Sequence, residues 1–169
     1  PVGTHVSTLS RYLTLDGVIR CQAGTDGGGP RGNGADVAIE RTAVNPVTWS
    51  LELGFNQGEV VTGDTRTLYC SGQTAMGADG TPRYEGDMAA QLGLSLDNLE
   101  AVLSAAGMSL GNLVRLNVYT TDVDLLFQHY GLLASRLGAA QVAPATTMLG
   151  VTRLAIPGQL VELEGTAVA

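Results

Sequence analysis

Between Asp87 and Gly107 the apolar residues Met88, Leu92, Leu96, Leu99, Leu103 and Ala106 recur at intervals of three and four, which puts one continuous stripe on an α-helix. Asp87 reads as the N-cap and Gly107 as the residue just past the C-cap. A little further on the period changes to two. From Leu113 to Thr120, Val114, Leu116 and Val118 face one way while Arg115, Asn117 and Tyr119 face the other, the pattern of a strand buried on a single side. An amphipathic helix delivered directly into a half-buried strand restricts the chain to layered folds in which helices cover a sheet.

The flanking segments extend that pattern. Val123 to Leu137 is predicted helical, capped by Asp122, with Leu126, Tyr130, Leu133 and Leu137 on one side and Gly138 at its end. Strands are predicted near Thr146 to Arg153 and Leu160 to Val168. Upstream, Glu59 to Thr62 and Thr67 to Ser71 flank a Gly63-Asp64 turn and read as a β-hairpin. The resulting order predicts an α+β fold, one mixed sheet with two helices on one face. The other face needs a cover. The chain has 169 residues, room for one domain, and is 44% apolar with only 15% charged residues, so self-association is the expected cover.

Residues 1–45 read differently. Weak alternation in Ser7 to Cys21 around Asp16-Gly17 is followed by the glycine-rich run Gly24 to Gly34, so this part is taken as an N-terminal appendage and linker, and residues 46–169 as the domain. The run has no following Gly-Lys-Ser/Thr, which argues against a phosphate cradle. Nine basic against 16 acidic residues give a charge of −7, which excludes nucleic acid as the expected partner. No apolar run is long enough for a membrane span and no signal pattern is present, so a cytoplasmic setting is expected. The cysteines, Cys21 and Cys70, form no CxxC pair, and neither metal nor cofactor is expected.

Several ordered segments resemble the Rid family of YjgF-like proteins: Phe55-Asn-Gln-Gly58, Tyr69-Cys-Ser-Gly-Gln73, Gly86-Asp-Met-Ala-Ala-Gln91 with Leu96-Asp-Asn-Leu99, Ala105-Ala-Gly107, Pro144-Ala-Thr-Thr147 and Val161-Glu-Leu-Glu164. The resemblance covers residues 46–169. It implies a chorismate-mutase-like two-layer fold, a homotrimer, small-molecule clefts between subunits, and hydrolysis of reactive imines or enamines.

That chemistry needs a cation for the substrate carboxylate, a group that activates water, and polar contacts for the departing nitrogen. Deaminating members carry an arginine where this chain has Thr146, and loss of the charge-assisted pair costs about 2 to 5 kcal/mol of binding in a desolvated cleft. Arg153 lies an odd number of residues away, so an unbroken strand would point it to the opposite face. Nothing in the sequence aims Arg83 or Arg115 at the cleft. Phe55 replaces a ligand-contacting tyrosine, and Phe127, across a one-residue gap, stands where the family has an asparagine. Ser71, Gly72 and Met148 are expected in the pocket wall.

Glu164 matches the water-orienting glutamate. Glu162 and Glu164 share a strand face, where mutual repulsion is expected to raise one pKa; the plainer alternative is a pair of solvated charges. The expected function is therefore a Rid-like hydrolase acting on an imine or enamine without the usual carboxylate. The alternative is a non-catalytic trimer that binds a small molecule or partner. RNA cleavage, attached to some family members, is disfavoured by the charge. Cys70 reads as a small buried residue, Trp49 as core or interface packing, and His5 and His129 as unclustered.

Overall fold

The computed structural model describes residues 18–20 and 39–169. The glycine-rich run and the turn at Asp16-Gly17 lie outside the described residues. The main sheet has the strand order β4-β7-β5-β6, built from β4 (Thr67–Tyr69), β5 (Leu113–Thr120), β6 (Ala145–Gly150) and β7 (Val161–Val168). Only β5 and β6 run parallel, so the sheet is mixed as expected. Helix α2 (Met88–Ala105) and helix α3 (Val123–Ala139) share one apolar cluster with the inward residues of β5 and β7, which places both helices on one face.

Each element follows from its sequence. The Asp87 carboxylate accepts the Ala90 N–H at 3.0 Å, and α2 then buries Leu92, Leu96, Leu99 and Leu103 almost completely. Gly107 takes a left-handed φ of +69° behind the last turn. Asp122 caps α3 through the Leu125 N–H. That helix does not end at Gly138 as expected. It continues to Ala139, and the left-handed position is taken by Gln141. In β5, two residues advance between Leu113 and Arg115 while β7 advances one, a bulge that makes Val114 the extra residue and lets Leu113 join Leu116 in the core.

The predicted hairpin does not form. Strand β3 (Gly58–Thr62) pairs with β2 (Glu40–Val44), and β2 with β1 (Val18–Arg20), in a separate three-stranded sheet, whereas β4 pairs with β7. The turn at Gly63, with φ +78°, is where the chain leaves one sheet for the other. Arg41 of β2 explains the preference. Its guanidinium is paired with Glu59 of β3 and also donates to the Gly111 and Leu113 carbonyls, tying the small sheet to the start of β5.

Between β4 and α2, residues 73–86 form a loop held by the buried amides of Gln91 and Gln159 and the half-buried amide of Asn98. Gln91 donates to the Tyr84 and Gly158 carbonyls and accepts from the Leu160 N–H, Gln159 accepts from Ala75, and Asn98 donates to the Thr74 and Met76 carbonyls. Burying amides in this way is tolerable because their hydrogen bonds are made.

Candidate functional site

The face of the main sheet away from the helices is mostly polar, with the exposed Leu149 beside Tyr119 as an apolar member. Cross-strand register puts Tyr69, Arg115, Asn117, Tyr119, Thr147, Glu162 and Glu164 on it, while Leu116, Val118, Val161 and Leu163 point into the core. The alternation of β5 and of Val161-Glu-Leu-Glu164 anticipated each strand's outward set. The antiparallel pairing of β5 with β7, which makes one site of the two sets, was not visible in the sequence.

Glu164 is the better-held carboxylate. It accepts hydrogen bonds from the Tyr119 hydroxyl at 2.8 Å and the Asn117 amide at 3.2 Å. The Tyr119 bond first, then the Asn117 bond, hold its pKa below the ordinary carboxylate value, and Arg115 adds to this. The same bond raises the Tyr119 phenol. Repulsion from Glu162 therefore does not govern Glu164, contrary to expectation. Arg115 itself donates to the Thr147 hydroxyl at 3.2 Å.

Glu162 faces Ser71-Gly72. Reciprocal backbone bonds between Gln73 and Leu163, at 2.7 and 2.9 Å, lay this segment along β7. A Cβ at Gly72 would stand 1.7 Å from Glu162 Oε1, so glycine is what permits the carboxylate to lie there. Among the described residues, no hydrogen bond fixes that carboxylate. Ser71 is exposed, and Cys70 is buried, its thiol pushed up by burial.

The other expected site residues lie elsewhere. Thr146 and Met148 are in register with Leu116 and Val118, hence on the helix side of β6, and the Thr146 hydroxyl donates to the Pro144 carbonyl at 2.9 Å. Phe55 follows the short helix α1 (Trp49–Glu52), whose Trp49 ring meets it edge-on. That segment is fastened to α3 by Tyr130, which donates to the Leu53 carbonyl, and to the approach to β6 by the Asn56 N–H on Ala143. Phe127, largely exposed on α3, packs near Tyr130. Arg153 lies beyond the end of β6, so the face argument made for it has no strand to rest on.

The expected residues thus form two groups. Ser71, Gly72, Glu162 and Glu164 belong to the β4–β7 side on the open face; Phe55, Phe127, Thr146 and Met148 belong to the α3–β6 side. Within one chain they do not converge, and the hollows between α2 and α3 and beside residues 152–160 contain none of them. Among the described residues, no group of three metal-ligating side chains comes together. No described helix is long and apolar enough to cross a membrane.

A mixed four-stranded sheet with two helices on one face and a glutamate pair on the other makes this a two-layer α+β protein, the architecture that the resemblance to YjgF-like proteins implies. The model of the family described as Endoribonuclease L-PSP matches residues 52–169. A curated relative, the RutC family protein YjgH of Escherichia coli K12, is 32% identical over 117 residues, 69% of this chain and 88% of its own length. The solved Rid-family protein YyfB of Yersinia pestis is 31% identical with a TM-score of 0.67, covering 76% of this chain and 98% of that one. Escherichia coli TdcF, solved with bound serine, is 27% identical with a TM-score of 0.56 over 68% of this chain and 87% of its own. The chain belongs to the Rid family of YjgF-like proteins.

Proposed function

We propose that this chain is a hydrolase of small imines or enamines, working in a cleft between the subunits of a homotrimer. The observation that carries the reading is the division of the site: one chain holds two half-sites on different sides of its sheet, and a second copy supplies the half that each lacks. The serine bound by TdcF supports a small-molecule ligand. The charge of −7, with Arg41, Arg83 and Arg136 paired to carboxylates, weighs against RNA.

In the reaction, water adds across C=N, its oxygen bonding to carbon while a proton reaches nitrogen. The carbinolamine then collapses, expelling ammonia and leaving a carbonyl. A carboxylate must take the proton of the attacking water. Resemblance brought Glu164 forward for this role, but geometry favours Glu162. Glu164 is occupied by two hydrogen bonds that make it a weaker base, whereas Glu162 lies against Ser71-Gly72 at the edge of its half-site. Thr146 offers no charge, so the substrate lacks the usual carboxylate.

The test compares the native chain with Thr146→Arg on two probes: 2-aminoacrylate, and a neutral imine made in situ by a flavin amine oxidase. Ammonia release above the uncatalysed rate is expected from the native chain with the neutral imine, and from the variant with 2-aminoacrylate. Native activity on 2-aminoacrylate alone would overturn the substrate class. A second reading, a non-catalytic trimeric binding protein, draws support from the lowered basicity of Glu164, and predicts no release from either probe.

A further inference from the structure

Six of the eleven large apolar side chains left exposed among the described residues fall in one stretch, while the others, Tyr69 at 79% among them, stand elsewhere. Val44, Val47, Trp49, Leu51, Leu53 and Val60 are each 40% to 58% exposed, with Trp49 the highest. Such clustering marks a contact surface. The stretch is nevertheless fixed in place. Asn45 joins Asn56 and the Gln57 N–H, Tyr130 holds Leu53, and Ser50 of α1 is fully buried.

Trp49 is the informative member. Its ring meets Phe55 edge-on, with centroids 5.7 Å apart and planes at 78°, so it extends the half-site to which Phe55 and Thr146 belong. It also precedes residue 52, where the family match begins. We infer that Trp49 is a specificity-determining wall of the substrate cleft, supplied by the segment ahead of the family domain and covered by a second copy of this chain. The inference rests on the intersubunit-cleft reading. The occupant is a second copy because the missing half-site, with Ser71, Gly72 and Glu162, must arrive against this same side. An indole edge-on to Phe55, with no charge at Thr146, suits a substrate with a flat or apolar body.

Trp49 is the chain's single tryptophan, so its fluorescence reports this position alone. Full-length protein is followed over a dilution series by sedimentation velocity, emission maximum and acrylamide quenching. In the assembled state, blue-shifted emission and several-fold weaker quenching are expected, both lost as the assembly dissociates. An oligomer whose Trp49 quenches like free tryptophan overturns the inference, as does protection that persists in the dissociated chain. A chain that never assembles overturns the intersubunit cleft itself, and the inference with it.

Trp49→Ala, in protein that still assembles, is expected to raise KM for the neutral imine about tenfold with kcat little changed, and Trp49→Phe to recover much of the loss. An unchanged KM would refute the wall. If the native chain hydrolyses no imine, the catalytic reading falls while quenching still decides where Trp49 lies.

Discussion

Replacing Gly72 with alanine separates the fold from the chemistry. The new Cβ would stand 1.7 Å from Glu162 Oε1, and ordinary contact begins near 3.4 Å, so the carboxylate oxygen must retreat by about 1.7 Å. The obstructing atoms are the far end of a flexible side chain, and Gly72 is exposed without a left-handed φ, so the fold has room to adjust. Stability should change by no more than about 0.5 kcal/mol. Catalysis has no such room, since a misplacement of about 1 Å can cost on the order of a hundredfold in rate. The assay is ammonia release from the neutral imine, with thermal unfolding of the same preparation. Gly72→Ala should lose on the order of a hundredfold or more in kcat at an unchanged Tm, and Glu162→Gln should match it. A Gly72→Ala enzyme within twofold of the native rate would refute the assignment of Glu162 as the base, and a loss seen only with Glu164→Gln would return the role to Glu164.

Tyr119→Phe removes the main cause of the lowered Glu164 pKa. A carboxyl whose folded pKa is depressed contributes stability above its ordinary value of 4.5, and this is lost as pH falls through the folded value. Denaturant titrations should therefore show native protein more stable than the variant at pH 7 by no more than about 0.5 kcal/mol, because the pair is exposed to solvent, with that gap narrowing below about pH 4. Leu99→Ala, at a fully buried position of α2, should cost about 2 to 5 kcal/mol by the same measurement. A smaller loss would mean that the helix collapses onto the vacated space.

Local chemistry was legible in the sequence and pairing was not. The caps at Asp87 and Asp122 and the alternation from Arg115 to Thr120 depend on neighbours a few residues away, and they appear as expected, whereas Val114, expected inward, yields its place to Leu113 at the bulge. The limit of α3 failed because glycine ends a helix only where a left-handed turn is required, and here Gln141 makes that turn three residues later than Gly138. The hairpin failed for a longer-range reason. Gly63 is a genuine turn, but β3 is claimed by β2, in a segment taken as an appendage, through the Arg41–Glu59 pair. In the site, Glu162 and Glu164 share a face as their spacing requires. What distinguishes them comes from β5 and from Gly72, far away in sequence.

In the proposed cleft, the charge on the open face limits which substrates are accepted. Glu162 and Glu164 stand there with Arg115, so the half-site carries more negative than positive charge, within a chain of −7. Thr146 adds nothing positive from the other half-site. Such a cleft attracts a protonated imine and repels a carboxylate, and both effects are long-range enough to respond to salt. Raising ionic strength from 0.1 M to 1 M shortens the screening length from about 10 Å to about 3 Å. For the protonated neutral-bodied imine, kcat/KM should fall as salt rises; for 2-aminoacrylate, any residual kcat/KM should rise. In Thr146→Arg the second dependence should reverse, because an arginine then faces the carboxylate. If 2-aminoacrylate turnover by the native chain already falls with salt, a cation is holding that carboxylate. Arg115 is then the residue to replace, since it lies on the face of both glutamates and forms no ion pair among the described residues.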